Sequence, residues 1–303
     1  NGSGLSIVQT LVNTGFAIEW VTYNVTPTAN GCNGDPVSFF VTVFPVADVY
    51  STPPSQSFCS GSTCNLTLAS HVAGSSFTWT ATGSSGNVTG YFPGSGNLIQ
   101  QTLVNSGNAI EGVAYHVTPT ANGCTGTTNN TLVTVNPLPV MAFTPCWDAV
   151  TITSAQPIKL KGGLPLGGSY SGPGVNTGIF YPGIAGTGIH TITYTYSNTF
   201  TCSGNSSQTI NVIAPVPFTC GNTLMDIRDN SLYTTVSLNG RCWTSVNLNY
   251  GNIITSAQMQ RDNCIPEKYC FSDNPVNCGN TGGLYQWDEL MQFDNIDGAQ
   301  GFC

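Results

Sequence analysis

The sequence predicts an all-β chain of β-sandwiches in series, followed by a different, cysteine-rich α+β module. Three observations favour this fold class. Residues 2–45 recur as residues 94–137, which indicates tandem domains. Short runs of alternating apolar and polar residues, separated by Gly, Pro, Asn and Ser, dominate up to about residue 215, as half-buried strands do. No segment of that range has the 3.6-residue period of an amphipathic helix.

The repeat has a period of 92 residues, a normal size for a β-sandwich. Its two copies share the motifs GSG at 2–4 and 94–96, QTLVN at 9–13 and 101–105, AIE at 17–19 and 109–111, VTPTANGC at 25–32 and 117–124, and VTV at 41–43 and 133–135. Because the first copy begins halfway through its repeat, we expect that residue 1 is not a natural start.

The clearest predicted strand is HTITYTYS at 190–197, where Ile192, Tyr194 and Tyr196 share one face and threonines occupy the other. Proline-containing joints, which are short and semi-rigid, fall where such strands end. They divide the chain into four parts: half of a repeat at 1–46, a complete repeat at 47–137, a second type of sandwich at 138–215, and the module at 216–303.

The composition restricts the partners. Only 6 residues are Lys or Arg against 14 Asp and Glu, and none of the basic residues precedes Lys159. This argues against nucleic acid, whose phosphates need clustered cations, and against an anionic membrane surface. Twelve cysteines without a CxxC motif predict disulfide bonds rather than a metal site. Disulfides form in an oxidising compartment, so we expect an exported, extracellular or cell-surface protein.

The sequence resembles known families over nearly its whole length. CSG at 59–61, FTWTA at 77–81 and VTPTANGC resemble the PKD-like, immunoglobulin-like repeats of secreted surface proteins of Bacteroidota. GGLPLGGSYSGPGV at 162–175 and GIFYPGIAGTGIHTITYTYS at 178–197 are similar to another Ig-like repeat of those proteins. DIRDNSLYTTVSLNGRCWTSVNLNYG at 226–251, GGLYQWDELMQF at 282–293 and QGFC at 300–303 resemble the Fibrobacter succinogenes major paralogous domain.

These resemblances imply tandem immunoglobulin-like sandwiches and a mixed, disulfide-rich α+β module. Since the last family continues past its final Cys, we expect that this module is incomplete. The resemblance also favours a disulfide between Cys59 and Cys124, which leaves Cys64 as the odd thiol. A local bridge between Cys59 and Cys64 is the alternative. Cys32 corresponds to Cys124, so its partner is expected before residue 1.

Two further disulfides follow from the residues themselves. Cys146 and Cys202 are the only cysteines between 138 and 215, so we expect them to pair. Cys270 and Cys278 flank a short, polar, Pro-containing loop and are expected to pair as well. The sequence does not assign partners to Cys220, Cys242, Cys264 and Cys303.

Trp79 and Trp20 have different expected roles. Trp79 lies in an alternating strand between Cys59 and Cys124, the order of an Ig-type core tryptophan. Trp20 aligns with Gly112 of the second copy, so we expect it at a surface or joint.

The terminal module carries the candidate ligand-binding residues, chiefly Trp243, Tyr285, Trp287 and Asp288, together with Tyr250, Tyr269 and Glu289. Aromatic rings stack on sugar rings and carboxylates accept hydrogen bonds from hydroxyls, which suits a glycan. The alternative is structural: GLYQW is a core strand, and DELMQF begins a short helix with Asp288 and Glu289 in its first turn.

Asp294 and Asp297 form a weaker candidate site, for calcium, because DNIDG offers oxygen ligands. That segment is shorter than an EF-hand loop and lacks its terminal Glu. We expect no other cofactor. The sequence contains neither GxSxG nor HExxH, and its three histidines are scattered, so a catalytic site is not predicted.

The predicted function is therefore non-enzymatic: an adhesive or structural segment of a long surface protein or extracellular fibre. Its partners would be neighbouring domains of the same chain, or identical chains in a fibre. The alternative is a lectin-like module at 216–303 on an Ig-like spacer. The half repeat should present an uncovered apolar face containing Ile7, Leu11, Val21, Tyr23 and Val25, which preceding residues or another chain would cover.

Overall fold

A computed structural model describes residues 2–294. The chain divides into two compact units, Asn1–Leu138 and Pro139–Cys303. Strands dominate both units, and the helical segments are short. The predicted all-β sandwiches, with an α+β segment at the end, are therefore confirmed. The four-part division of the chain stays a prediction.

The first unit begins with a lone β-hairpin. Its strands are β1 Glu19–Val25, β2 Thr28–Ala29, β3 Cys32–Asn33 and β4 Val37–Val43. β1 pairs with β4 in an antiparallel register that sets Val21 opposite Val41 and Tyr23 opposite Phe39. Because alternate residues of a strand share a face, these side chains form one apolar face together with Val25.

That face is largely open to solvent. The exposed fractions of Val25, Val41 and Phe39 are 38%, 40% and 54%. Ile7 is also exposed, and Val21, Tyr23 and Leu11 are half-buried. Trp20, on the opposite face, is 66% exposed, which confirms its predicted surface position.

The rest of the first unit is a complete sandwich. Its strands are β5 Tyr50–Thr52, β6 Gln56–Cys59, β7 Thr63–Ala69, β8 Ser76–Gly83, β9 Val88–Thr89, β10 Gly94–Ser95, β11 Leu98–Thr102, β12 Val104–Asn105, β13 Glu111–Ala121, β14 Cys124–Thr125 and β15 Asn129–Asn136. One sheet has the order β10-β8-β13-β15-β6, and the facing sheet has the order β11-β7-β5. β6 runs parallel to β15, and the other neighbours are antiparallel.

The core of this sandwich lies between the two sheets and is centred on Tyr115, which is fully buried. Trp79 is buried in the same core and donates a hydrogen bond from Nε1 to the carbonyl of Phe92, as predicted for a core tryptophan. Gly94 of the repeated GSG motif packs on this indole. A Cβ there would lie 2.8 Å from Trp79 Cε2, so the close approach of β10 to β8 requires glycine.

The two copies of the repeat fold alike. β13 and β15 pair as β1 and β4 do, 92 residues later, with Val113 opposite Val133. In the second copy the corresponding face is covered: Val113, Val117, Val133 and Val135 are at most 1% exposed. Residues 47–92 supply β5 and β7 of the facing sheet, which β11 completes, and β8 beside β13.

The second unit begins with another sandwich. Its elements are β16 Ala142–Phe143, β17 Val150–Ile152, β18 Ile158–Lys159, β19 Gly163–Leu164, β20 Ser169–Ser171, β21 Val175–Asn176, β22 Ile179–Phe180, the short helix α1 Pro182–Ala185, β23 Gly188–Ser197 and β24 Ser203–Ile213. The larger sheet has the order β17-β24-β23-β20. Ile192 and Tyr194 of β23 are buried in its core with Phe143 and Trp147, as the alternation predicts.

The chain then forms a mixed segment of small sheets and short helices. Its elements are β25 Thr223–Met225, β26 Leu232–Leu238, β27 Arg241–Thr244, β28 Asn252–Ile254, β29 Glu267–Tyr269, a 3₁₀ turn at Phe271–Asp273, α2 Pro275–Thr281 and α3 Trp287–Leu290. α3 places Asp288 and Glu289 in its first turn, as predicted. The expected GLYQW core strand is wrong, since Leu284 forms only an isolated bridge to Tyr269 and Trp287 is 72% exposed.

Candidate functional site

The structure corrects the predicted pairing of Cys146, which forms a disulfide with Cys264 rather than Cys202. Cys202 precedes the first residue of β24, whereas Cys146 precedes β17, which pairs with the last three residues of β24. The two cysteines therefore approach opposite ends of that strand. Sequence reasoning assumed that residues 138–215 close their own disulfide, but the partner comes from the mixed segment.

The predicted bridge between Cys59 and Cys124 is also absent, because Cys124 carries a free thiol. Cys59 lies beside Asn136 at one end of β15, and Cys124 precedes the other end. An eight-residue strand separates them, and at about 3.3 Å per residue this is far beyond the reach of a disulfide. The local alternative fails too, because Cys64 is a buried free thiol.

Two disulfides lie within the mixed segment. Cys270 and Cys278 pair as the loop spacing suggested, with their Cα atoms 5.0 Å apart. Cys220 and Cys242, to which the sequence assigned no partner, form the other, with a Cα–Cα distance of 5.5 Å. Cys32 is exposed and free, and Cys303 lies outside the described residues.

The predicted aromatic binding set does not form one site around a cavity. Trp243 is 54% exposed on β27, and Trp287 and Asp288 are exposed on α3. Tyr285 is half-buried, and its hydroxyl donates to the carbonyl of Tyr250 at 2.7 Å. None of these four predicted ligand contacts lines the cavity between the second sandwich and the mixed segment, although Tyr250 and Glu289 do.

The two residues of the predicted calcium site have different outcomes. Asp294 is nearly buried, and its Oδ1 lies 3.7 Å from Lys159 Nζ, a cation that would oppose a bound metal ion. Asp297 lies outside the described residues. Within residues 2–294, no three His, Cys, Asp or Glu side chains are grouped closely enough to hold a metal ion.

The cavity, of about 110 Å³, lies where the second sandwich meets the mixed segment, and we call it the junction cavity. Its wall includes both residues of the Cys146–Cys264 disulfide. Its other lining residues are Pro145, Trp147, Asp148, Ile158, Lys159, Lys161, Tyr250, Arg261, Asp262, Ile265, Pro266, Glu289, Gln292, Phe293 and Asp294.

Two residues that line the junction cavity each have one buried polar atom without a hydrogen-bond partner among the described residues. These atoms are Trp147 Nε1 and Glu289 Oε2, on side chains that are 9% and 2% exposed. Trp147 packs edge-on against Phe143 in the sandwich core, at a centroid distance of 5.5 Å. Glu289 Oε1 accepts a hydrogen bond from the Glu267 amide at 2.8 Å, so the carboxyl group is fixed on α3. Burial raises the pKa of Glu289.

The charges of the junction cavity are largely paired with one another. Lys161 Nζ donates to Asp262 at 3.0 Å and to the carbonyls of Gln292 and Phe293. Lys159 faces Asp294. Each of these lysines already faces a carboxylate. A charged ligand would therefore find no unpaired group of opposite charge among these residues.

A buried ion network adjoins the same cavity. Arg228 donates from Nε and Nη2 to the two carboxylate oxygens of Asp226, at 2.8 and 2.6 Å. Its Nη1 lies 3.8 Å from Asp148 Oδ2, and its guanidinium stacks 4.1 Å above the ring of Tyr250. Burial raises the pKa of Asp148, although Arg228 opposes the shift. The network fixes both Asp148 and Tyr250 at the cavity wall.

Sequence reasoning missed Trp147, Lys159 and Lys161 as site residues. A signal was present, because Lys159 and Lys161 are the first basic residues of the chain and are spaced two apart. Strand spacing of this kind places both side chains on one face. Nothing in the sequence indicated that this face would meet Gln292, Phe293 and Asp294, which follow α3.

One comparison with known proteins covers most of the first unit. A family model for the PKD-like domain matches residues 1–47 and 56–139, that is, the half repeat and the complete repeat. These parts of the chain are similar to PKD-like domains, and the complete repeat has a β-sandwich architecture. Residues 140–303 lie outside the match.

Two solved structures are similar at a low level. The crystal structure of mouse protocadherin-24 EC1–3 has 10% identity and a TM-score of 0.24, over 65% of this chain and 80% of that chain. The structure of Dpr2 Ig1–Ig2 in complex with DIP-Theta Ig1–Ig3 has 12% identity and a TM-score of 0.26, over 64% and 72%. Neither likeness is strong enough to assign a function. No curated protein matches the chain. None of the helices within residues 2–294 is long and apolar enough to cross a membrane.

Proposed function

We propose that this chain is a non-enzymatic structural and adhesive segment of an exported, extracellular protein, in which PKD-like and Ig-like sandwiches follow one another as a stalk. One observation carries the proposal. The same hairpin occurs twice, 92 residues apart, and its apolar face is covered in the complete repeat but open in the half repeat. A chain that repeats such units is built to extend in one direction, as solenoids and tandem arrays are.

Other features support an extracellular setting. Disulfides join Cys146 to Cys264, Cys220 to Cys242 and Cys270 to Cys278, and such bonds persist in oxidising compartments. A surface of Thr, Ser, Asn and Gly with few charges is well solvated and binds anionic polymers poorly. We further propose, on the motifs quoted above, that residues 216–303 are a Fibrobacter succinogenes major paralogous domain and that the protein comes from a member of the Bacteroidota.

The open hairpin face indicates what kind of partner completes it. In the second copy, residues 47–92 cover that face, so the matching partner is a half repeat of the same type. The described residues contain two such hairpins, β1–β4 and β13–β15, but only one half of the 47–92 type. An exchange between identical chains would therefore leave one hairpin per chain uncovered. Completion by a neighbouring domain in series is the better fit, and a fibre of identical chains is the alternative.

A chain with an added copy of residues 47–92 ahead of residue 1 tests this architecture. The added half should cover the β1–β4 face and protect its amides from hydrogen exchange to the level seen in β13 and β15. The matched control carries aspartate in place of Leu66 and Leu68 in the added copy, because both leucines are buried in the covering sheet. Unchanged exchange in β1 and β4 would show that the first hairpin is not half of a sandwich.

A stalk must also bear load. Pulling the full chain by its termini should give separate unfolding events, one for each sandwich, rather than a smooth extension. Sedimentation of the unmodified chain at several concentrations distinguishes the fibre alternative, which requires concentration-dependent assembly.

Carbohydrate recognition by residues 216–303 is the second candidate function. The exposed aromatic rings of Trp243 and Trp287 favour it, because sugar rings stack on such faces. A glycan array with the full chain tests it. Loss of any signal on replacing Trp243 by Ala, with Trp20→Ala as the exposed control in the first unit, would support a glycan site on the mixed segment.

A further inference from the structure

We propose that a contact between Phe16 and His71 locks the half repeat onto the complete repeat at one angle, so that the two units keep a fixed direction. Both residues belong to the first compact unit. Phe16 lies in the loop before β1, and His71 follows β7 of the complete repeat. Their ring centroids are 4.9 Å apart. The inference rests on the proposed stalk, but the stalk does not depend on it, because flexible joints would also give a tandem array.

The segment that joins the two repeats is packed rather than free. Between β4 and β5, Pro45, Ala47 and Val49 are buried, and the residues that alternate with them are not. Ala47 forms a small core with Val72 and Ala121 of the complete repeat. The half repeat is therefore already held at the end of β4, and one further contact away from this segment is enough to set its angle.

Asp48, within the joining segment, fixes the imidazole that receives Phe16. Its Oδ1 accepts hydrogen bonds from the Ser70 hydroxyl at 2.8 Å and from the His71 amide at 2.9 Å, and its Oδ2 lies 2.6 Å from His71 Nδ1. The ring of Tyr50, at the start of β5, also contacts the imidazole, at a centroid distance of 5.0 Å. The complete repeat and the joining segment therefore hold His71 in place independently of Phe16.

The second copy of the repeat shows that the fold does not require phenylalanine at position 16. NTGFAIE at 13–19 corresponds to NSGNAIE at 105–111, so that Phe16 aligns with Asn108. The side chain of Phe16 is also 53% exposed, and it therefore contributes little to a core of the half repeat. An aromatic side chain that the fold can replace by asparagine, and that contacts the neighbouring repeat, indicates a role at the joint.

The strength of the ring contact decides whether the joint is fixed, because small interfaces between domains usually permit motion. A tilted pair of rings at this distance favours the closed joint by about twofold to tenfold. Since the joining segment is already packed, this preference is sufficient to make one orientation the main population.

The orientation can be measured on the full chain as the distance between two spin labels, by double electron–electron resonance. One label is attached to Cys32, which is exposed on β3 of the half repeat. The other is attached to the cysteine of Thr67→Cys, at an exposed position of β7, and Cys124→Ser prevents a third label. Cys64 is fully buried and should stay unlabelled. We expect one dominant, narrow distance.

Matched variants identify the contact. Phe16→Asn installs the residue of the second copy and removes the ring, so the dominant distance should lose population by about twofold to tenfold relative to other distances. His71→Ala should have a similar effect, and adding Phe16→Asn to it should change little, because both remove the same contact. Phe40→Leu is the control, because it also installs the residue of the second copy, at a 70% exposed position of β4.

Circular dichroism checks the fold of each variant, and the wild-type measurement stands independently of the variants. A broad wild-type distribution would overturn the lock and leave the tandem architecture unaffected. A narrow distribution that survives in Phe16→Asn would overturn it as well, since the packed joining segment alone would then fix the angle. Failure of the stalk proposal would be seen elsewhere, as unchanged hydrogen exchange of β1 and β4 in the chain with the added copy of residues 47–92.

Discussion

Tyr23 and Tyr115 occupy equivalent positions 92 residues apart and donate the same hydrogen bond, from the hydroxyl to Oε1 of Gln9 at 2.7 Å and of Gln101 at 2.8 Å. Tyr115 is fully buried, whereas Tyr23 is half-buried on an open face. The local structure of the repeat therefore forms without its cover.

Asn13 and Asn105 extend the correspondence. Each donates from Nδ2 to two backbone carbonyls, those of Ala17 and Val43 for Asn13 and those of Ala109 and Val135 for Asn105, at distances of 2.7–2.9 Å. Each also accepts the amide of a glycine two residues later through Oδ1. These contacts join the loop before the hairpin to its last strand in both copies. The second copy adds to these shared contacts its buried packing and the pairing of β11 with β7 and of β12 with β9.

We predict that matched substitutions in the two copies differ in cost. Val133→Ala removes two methyl groups from a fully buried site and should destabilise the complete repeat by about 1–3 kcal/mol. Val41→Ala, at the equivalent position, should change stability by less than about 0.5 kcal/mol, because Val41 is 40% exposed. Urea unfolding of the full chain measures both. Equal losses would mean that the first hairpin is already covered in solution.

The alternation of apolar residues was sufficient to predict the strands and the core. Val113, Tyr115 and Val117 are buried because they alternate on a strand between two sheets, and Ile192 and Tyr194 are buried for the same reason. A period of two and a repeat of 92 residues are local signals, so they could be read without coordinates. The open face of the first hairpin followed from the same pattern.

The disulfides and the junction cavity could not be read in this way. Cys146 meets Cys264 across 118 residues because two segments pack into one compact unit, and no local spacing encodes that contact. Trp147 and Glu289 are similarly distant in sequence. Placing Glu289 in the first turn of a helix was correct, but its burial and its approach to the sandwich depend on tertiary packing.

The free thiols should react in the order of their exposure. Cys32 is exposed, Cys124 is half-buried, and Cys64 is fully buried beside the Tyr115 hydroxyl at 3.6 Å. We expect iodoacetamide to modify Cys32 first, Cys124 more slowly, and Cys64 only after unfolding. Mass spectrometry of timed digests measures the order. Absence of a modified Cys124 peptide, with Cys59 and Cys124 recovered as one crosslinked species, would restore the family pairing.

Loss of the Cys146–Cys264 bridge should destabilise the second unit. In the chain-entropy model, a loop of 118 residues contributes about 4–5 kcal/mol, as an upper value. We therefore expect the double variant Cys146→Ser with Cys264→Ser to unfold at lower urea concentration. The Cys270→Ser with Cys278→Ser variant is the control, because its loop is short and its entropic contribution smaller. Non-reducing peptide maps should recover Cys146 linked to Cys264. A Cys146–Cys202 peptide would contradict this assignment.

The Asp48–His71 contact predicts a pH dependence in the first unit. Burial raises the pKa of Asp48, but hydrogen bonds from His71 and Ser70 outweigh it and lower the pKa to about 2. A carboxyl group whose pKa is lowered in the folded state contributes stability above its unfolded pKa, and this is lost as the pH falls through the folded value.

Asp48→Asn should accordingly cost stability at pH 5–7, and the difference from wild type should vanish as the pH approaches about 2. The side chain of Asp48 is 38% exposed, so solvent screening limits the cost to about 1 kcal/mol. Thermal unfolding across this pH range measures the effect, with the exposed Asp35→Asn as control. A cost that persists unchanged at the acid end would assign it to lost packing instead.

Arg228 should be the most sensitive charged residue of the second unit. Its guanidinium fork pairs with Asp226 and covers Tyr250, and its side chain is only 13% exposed. Lysine cannot reproduce the two parallel hydrogen bonds, so Arg228→Lys should cost about 1–2 kcal/mol and Arg228→Ala about 3 kcal/mol. Arg241→Lys, at an exposed position on β27, is the control and should cost less than about 0.5 kcal/mol.

The penalty for removing Arg228 should also depend on pH. Burial raises the pKa of Asp226, but its hydrogen bonds with Arg228 outweigh this and lower the pKa. The stability that this ion pair contributes is therefore present above the unfolded pKa of Asp226 and is lost as the pH falls through the folded value. Burial raises the pKa of Asp148, and without Arg228 the ionised form of Asp148 would be still less stable, which destabilises the variant near neutral pH. Both effects make Arg228→Ala most costly near pH 7 and least costly below pH 3. Urea unfolding at both pH values measures the difference, and a larger penalty in acid would mean that Arg228 acts through packing on Tyr250 rather than through its two carboxylates.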